Sequence, residues 1–96
     1  MVRPPDWQRR LDDPHEPLYT LAVVSDLLGV DPQTVRRMDL PEFSQPTRSS
    51  GNQRRYSRDD IALLAHAFRL SREGLSMAAI SRVLLLEREV ERLQKR

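Results

Sequence analysis

Apolar side chains recur at three- and four-residue spacing soon after residue 17, which is the pattern of an amphipathic helix. Thr20 predicts the N-cap of this helix, and Gly29 is typical of the residue that follows a helix end. The repeating apolar positions are Leu21, Val24, Leu27 and Leu28. The pattern therefore predicts a short helix between Thr20 and Gly29.

A second short helix is predicted directly afterwards. Asp31 supplies an N-cap and Pro32 occupies the first helical position, so that the helix runs to about Met38. Val35 is spaced to face the first helix. Two short helices joined by a glycine-containing turn predict a helix-turn-helix.

The next stretch indicates a turn and a hairpin. Pro41 and Pro46 exclude a continuous helix, and the segment 45–56 has small and polar residues at its centre with alternation near each end. Its last six residues, Gly51 to Tyr56, form a compact basic turn. The pattern predicts a short β-hairpin, or wing.

Two further helices are predicted after the wing. Ser57 and Asp60 have the spacing of a capping box, Gly74 marks the end of the first helix, and Ser76 caps the second. The buried stripe of the first helix is predicted at Ile61, Leu64, Ala65 and Phe68.

The last helix carries an apolar row at heptad-like spacing, formed by Val83, Leu86, Val90 and Leu93. Such a row predicts a dimerisation helix. The alternative is that these leucines and valines pack on the chain's own helices.

The predicted fold class is all-α with a small β-hairpin wing: a winged helix-turn-helix over residues 18–75 and a C-terminal helix for dimerisation over residues 76–96. Residues 1–17 contain four of the seven prolines and few apolar side chains, which predicts a flexible N-terminal arm. Trp7 in this arm either docks a partner or covers the domain's own apolar surface.

Charge distribution supports a polyanionic partner more strongly than net charge does. The 96 residues have a formal charge of only +2. Residues 34–58, however, contain six arginines and two acidic residues, whereas residues 18–33 contain two aspartates and no basic residue. The positive charge is therefore concentrated on the second helix and the wing.

Candidate DNA-contacting residues follow from this concentration. On the second helix, Thr34, Arg36 and Arg37 are predicted to reach base edges or flanking phosphates in a major groove. On the wing, the predicted backbone contacts are Arg48, Gln53, Arg54, Arg55 and Tyr56, with the Tyr56 ring expected to pack beneath the wing. The alternative is a solvated basic face on an ordinary helical hairpin.

Several other classes of function are disfavoured. The chain has no cysteine, so disulfides, thiolate metal sites and cysteine nucleophiles are excluded. His15 and His66 stand apart in the sequence, and no nucleophile motif or Gly-rich phosphate loop is present. We therefore predict a cytoplasmic protein that is not an enzyme, with no metal, cofactor or membrane span.

Several motifs together resemble the winged helix-turn-helix of the MerR family of bacterial transcription regulators. The resemblance covers residues 18–93. Within the family, the spacing from Val35 to Tyr56 is similar to that of the heat-shock repressor (HspR-like) subgroup, and small BldC-like regulators are the second choice. The residues that carry it are Tyr19-Thr20-Leu21, Gly29-Val30, Thr34-Val35-Arg36, Pro46, Arg48, Gly51, Arg54-Arg55-Tyr56-Ser57 and Asp60-Ile61.

The resemblance implies a sequence-specific DNA-binding repressor that binds double-stranded DNA as a homodimer, paired through antiparallel C-terminal helices. It also implies a chaperone as protein co-regulator and leaves no room for a small-molecule effector domain. Two alternatives remain open: a protein-interaction module resembling co-chaperone modulators, and a BldC-like monomer that binds cooperatively on direct repeats.

Overall fold

The structure is a computed structural model and describes residues 6–38, 47–48 and 54–95. Within these residues the chain is mostly helical and includes one small antiparallel sheet. The elements in chain order are α1 (Trp7–Asp12), β1 (Tyr19–Thr20), α2 (Leu21–Leu28), α3 (Pro32–Arg37), β2 (Thr47–Arg48), β3 (Arg54–Tyr56), α4 (Arg58–Arg72) and α5 (Met77–Gln94).

The helix-turn-helix forms where local capping signals predict it. The Thr20 hydroxyl accepts the Val23 amide at the start of α2, and α2 ends at Gly29, whose φ of 68° lies in the left-handed region. Because side chains other than glycine are disfavoured there, Gly29 fixes the direction of the turn into α3. Asp31 then caps α3 through the Thr34 amide, with Pro32 at the first position.

The sheet confirms the wing and adds one strand. β3 lies in the centre, paired antiparallel with β2 on one side and with β1 on the other. In the register with β1, Tyr19 is opposite Tyr56 and Thr20 is opposite Arg55. β1 was not predicted, because two residues before a helix cap carry too short a pattern to identify a strand. Its pairing ties the beginning of the helix-turn-helix to the wing.

Both helices after the wing begin at the predicted caps. Ser57 and Asp60 form a reciprocal capping box, in which the Ser57 amide donates to Asp60 and the Asp60 amide donates to the Ser57 hydroxyl. The predicted buried stripe of α4 is wrong at one position: Ala65 is exposed, and Ala67 is fully buried in its place. The face centred between Leu64 and Ala67 packs inward because α4 contacts both the helix-turn-helix and α5.

One hydrophobic core joins α2, α3, β3, α4 and α5. Its buried members are Val24, Val35, Met38, Tyr56, Leu64, Ala67, Phe68, Ile80 and Leu84. Val35 is 1% exposed, as expected for a side chain that faces the preceding helix. Since Ile80 and Leu84 belong to this core, the first half of α5 packs with the helix-turn-helix and the wing.

The N-terminal segment has regular structure within the described residues. It forms α1 over Trp7–Asp12, and the chain after α1 contacts the start of α4. None of the residues of α1 is buried, so this helix contributes no side chain to the core. The segment is held instead by polar contacts, which could not be inferred from hydrophobic periodicity.

Candidate nucleic-acid interface

Helix α3 is anchored at its start and presents its arginines near its end. The Asp31 carboxylate accepts both the Thr34 amide, at 3.1 Å, and the Thr34 hydroxyl, at 2.8 Å. These hydrogen bonds, the hydroxyl first, lower the pKa of Asp31 below its ordinary value of 3.8, and the positive charge of Arg37 acts in the same direction. Thr34 therefore stabilises the cap of its own helix, in addition to any contact that it makes with a partner.

Arg36 and Arg37 are exposed in the last turn of α3. Neither guanidinium forms an ion pair with any residue in the described ranges. Val35, between Thr34 and Arg36, is buried against the core and holds the helix in place. The arrangement presents two exposed cationic side chains from a capped helix, which suits base edges and phosphates.

The structure describes the predicted DNA-contacting residues of the wing to different extents. Gln53 lies outside the described residues, and for Arg48 the structure describes only the backbone, which pairs opposite Arg54. Arg54 and Arg55 are adjacent in β3, so the pleat directs them to opposite faces of the strand. Within β3 the two side chains therefore lie on different faces of the sheet.

The two faces of β3 have different surroundings. Tyr56, two residues after Arg54 and on the same face, is buried, so this face leads into the core. Arg55 lies on the other face, at register positions opposite Thr20 and Thr47, and its Nη1 is 3.4 Å from the Arg54 carbonyl oxygen. Both arginines are half-buried. Arg55 is thus the wing arginine on the face that points away from the core.

Tyr56 is a packing residue in this structure. It is 3% exposed and belongs to the core, as predicted for its ring. Its hydroxyl is also buried and has no hydrogen-bond partner among the described residues. A phosphate cannot reach a buried hydroxyl, so Tyr56 supports the wing from beneath and makes no backbone contact in this conformation.

Helix α5 has two distinct apolar faces. Ile80 and Leu84 point into the core, whereas Leu86, Val90 and Leu93 are 58%, 52% and 49% exposed. Val83, Leu86 and Val90 line a shallow groove together with Glu87, Glu91 and Gln94. Leu84 therefore packs on the chain's own helices. Leu86, Val90 and Leu93, in the row predicted for dimerisation, remain exposed.

Both histidines have carboxylate partners that sequence spacing did not reveal. His15 Nδ1 lies 2.8 Å from Asp59 Oδ2, and His66 Nε2 lies 2.8 Å from Glu87 Oε1. Arg69 Nη2 is 2.6 Å from His66 Nδ1. Through these contacts His66 joins α4 to α5.

These pairs line a cleft of about 640 Å³ between the N-terminal segment, α4 and α5. Its carboxylates have partners within the chain: Asp59 with His15, Asp60 with the Ser57 amide, Glu87 with His66, and Glu91 with Lys95 at 3.0 Å. The cleft therefore presents no unpaired carboxylate that would require a cation.

The described ranges contain neither a cluster of metal-binding side chains nor a helix that could span a membrane. No group of three or more histidine, aspartate or glutamate side chains there is arranged to hold a metal ion. None of the helices there has the length and apolar character needed to cross a membrane.

Comparison with known proteins agrees with this architecture. Residues 19–87 match the family model of the MerR HTH family regulatory proteins. The chain is 40% identical over 97 aligned residues to a protein of Streptomyces coelicolor described as heat shock protein HspR, an alignment that covers 95% of this chain. It is also 34% identical over 71 residues to the HTH-type transcriptional regulators GlnR of Bacillus anthracis and Bacillus cereus, over 74% of this chain.

The chain spans 63% of the length of the HspR protein and 55% of the GlnR proteins. The family match covers both helices of the helix-turn-helix, the described wing strands and most of α5. A match over more than half of the chain, together with 40% identity to one relative, establishes the family. The chain therefore belongs to the MerR family of helix-turn-helix regulatory proteins.

Proposed function

We propose that this chain is a sequence-specific DNA-binding transcription regulator, acting in the cytoplasm as a repressor and without catalytic activity. In this proposal Arg36 and Arg37 enter the major groove, with Thr34 beside them. The wing lies along the phosphate backbone through Arg55, assisted by Arg48, Gln53 and Arg54.

The main support for the proposal is that α3 is held in place while its two arginines are exposed. Its first turn is fixed by Asp31 and its middle by buried Val35, while Arg36 and Arg37 remain exposed and form no described ion pair. A cationic side chain that serves stability would pair with a nearby carboxylate, as Arg92 does with Glu89. Exposed guanidinium groups without an ion pair among the described residues favour an external anion, and duplex DNA presents closely spaced phosphates.

The wing supports the same conclusion. The β2–β3 register places Arg48 opposite Arg54, and like charges at opposite positions destabilise a hairpin. On the outward face of β3, Arg55 is the wing arginine that a polyanion would meet.

A homodimer completes the proposal. The exposed row Leu86, Val90 and Leu93 on α5 offers an apolar face that a second copy would cover, with Val83 at its beginning. Two copies related by a twofold axis would present two α3 helices to a pseudo-palindromic operator. The proposal includes a chaperone as co-regulator, which is what the resemblance to the HspR-like subgroup implies.

The proposal is tested by selecting bound fragments from randomised duplex DNA with the full chain. We expect enrichment of an inverted repeat, and transcription from a promoter that overlaps the repeat should fall when the protein is added. Arg36→Ala and Arg37→Ala should each cost about 1–3 kcal/mol of binding free energy wherever the arginine contacts a base edge.

Arg92→Ala is the matched control, because it removes the same charge from an exposed pair on α5. Enrichment of direct repeats by a monomer would replace the twofold arrangement with cooperative binding. If no sequence is enriched and the α3 variants behave like Arg92→Ala, the DNA-binding function is refuted and a protein-interaction module takes its place.

A further inference from the structure

The segment from Asp6 to Pro17 folds back on itself before it reaches the sheet. The Arg10 guanidinium lies 2.7 Å from Glu16, which closes a loop around the end of α1. Within that loop the His15 amide donates to the Asp13 carboxylate at 2.9 Å. These contacts give the segment a defined turn at residues 13–15.

This turn is attached to the first turn of α4 by three contacts. The Asp59 amide donates to the Pro14 carbonyl at 3.0 Å, the Arg58 guanidinium donates to the Asp12 carbonyl, and His15 pairs with the Asp59 carboxylate at 2.8 Å. The first amides of a helix have no partner within the helix. The Pro14 carbonyl therefore satisfies an amide that the Ser57 capping box leaves open.

The same stretch of chain continues directly into β1, which pairs with β3. This stretch therefore contacts the chain on both sides of the junction between β3 and α4. β1 pairs with β3, and the 13–15 turn lies against the start of α4. Only Ser57 separates β3 from α4. The direction in which β3 leaves the core depends on this junction.

We propose that Asp6–Pro17 is a clamp that positions the wing on DNA, with Arg58 acting through the clamp. This inference rests on the proposed function. Sequence position alone suggests that Arg58, close to Arg54 and Arg55, contacts phosphate. In the structure its guanidinium is directed to the Asp12 carbonyl, so that it holds the segment in place.

The clamp contacts can be removed one at a time. His15 and Asp59 are 79% and 55% exposed, and exposed ion pairs are weak. Several weak contacts can be removed without unfolding a core to which α1 contributes no buried side chain.

A double-mutant cycle in the full chain tests the clamp. One variant replaces Asp13, Pro14 and His15 with glycine to release the turn; the other is Arg58→Ala. On the selected duplex, each should weaken binding about three- to tenfold and reduce the salt slope by about one, because a displaced wing loses a phosphate contact. The combined variant should bind no more weakly than the released turn alone, because Arg58 has then lost its partner.

His15→Ala removes only the pair with Asp59 and serves as a milder second variant, expected to weaken binding about twofold. Arg92→Ala is the control, since Arg92 forms an exposed pair with Glu89 on α5, outside the clamp. Hydrogen exchange at the Asp59 amide reports directly on clamp attachment, and should become faster in the released variant while exchange at buried Val24 stays unchanged.

Additive losses in the combined variant would show that Arg58 contacts DNA itself and would overturn its assignment to the clamp. Unchanged affinity and salt slope after release of the turn would overturn the clamp while leaving DNA binding intact. A wild-type chain that binds no duplex would overturn the proposed function and the clamp together.

Discussion

Tyr56 shows most clearly what a single residue contributes to this molecule. Its ring fills the space beneath the wing, at 3% exposure, while its hydroxyl lies buried without a described partner. An unsatisfied buried polar group costs about 1–3 kcal/mol. The ring therefore stabilises the fold, and the hydroxyl opposes it.

Tyr56→Phe should retain or raise the free energy of unfolding, by about 1 kcal/mol, because it removes the unsatisfied hydroxyl and keeps the ring. Tyr56→Ala should lower it by about 3–5 kcal/mol. Urea unfolding at one protein concentration measures both. DNA affinity of Tyr56→Phe should equal that of the wild type, and a loss of affinity would restore a phosphate contact to the hydroxyl.

Asp31 makes the cap of α3 sensitive to acid. Its hydrogen bonds to Thr34 lower its folded-state pKa, so its contribution to stability is complete above the ordinary carboxyl value of 3.8 and is lost as the pH falls through the lower folded-state value. In that interval the unfolded chain binds the proton more readily than the folded chain does. Acidification therefore weakens this cap.

Asp31→Asn provides the comparison, because asparagine also caps helices but does not ionise. The difference in unfolding free energy between wild type and Asp31→Asn should stay constant from pH 7 to about pH 5 and shrink below about pH 4. Chemical denaturation across this pH range measures it. A difference that persists unchanged to pH 2 would exclude the carboxylate as the source.

At the scale of elements, local sequence signals were sufficient to predict the helix ends. They were not sufficient to predict strand pairing between distant residues. The caps at Thr20, Asp31 and Ser57, with the glycine at 29, involve residues within four positions of one another, and all were predicted from the sequence. β1 depends on residues 35 to 37 positions away, since Thr20 is opposite Arg55 and Tyr19 is opposite Tyr56, and sequence pattern alone does not encode such a pairing.

The candidate site divides in the same way. Exposure of Arg36 and Arg37 follows from the helical period, which puts Val35 inside. Separation of Arg54 from Arg55 requires knowing that β3 includes both residues, because a turn would have allowed them to share a face. The carboxylate partners of His15 and His66 come from other elements, so linear spacing could not identify them.

The pleat of β3 leads to unequal roles for its two arginines. Arg55→Ala should reduce the salt slope of DNA binding by about one, because this side chain lies on the outward face. Arg54→Ala should change the slope less, because Arg54 shares the face of buried Tyr56. Affinity measured at several salt concentrations separates the two, and equal slopes would mean that both reach the backbone.

The molecule as a whole is extended for its length. Its radius of gyration is 15.3 Å, whereas a compact domain of 96 residues has about 12.5 Å. Part of the difference comes from α5, in which no residue from Leu85 to Gln94 is buried. Exposed leucines on a projecting helix are costly in a monomer and useful in a dimer.

Leu86→Glu should convert a dimer to a monomer, because it puts a charge at the centre of the exposed row. Leu85→Glu is the matched control: Leu85 is 46% exposed and lies about 100° around the same helix, outside the row. Sedimentation without DNA measures both. A monomeric wild type, or dissociation by both variants alike, would remove this row from the interface.

Because α5 has one inward face and one outward face, insertions and deletions within this helix are constrained. Leu84 faces inward and Leu86 faces outward on one uninterrupted helix, so the core sets the rotational phase of the far half. An inserted residue between them would rotate everything beyond it by about 100° and put Glu89 and Arg92 at the positions that Val90 and Leu93 now occupy. In the proposed dimer, helix phase would then determine the angle between the two DNA-binding heads, and operators with a different half-site spacing would demand insertions or deletions of whole turns.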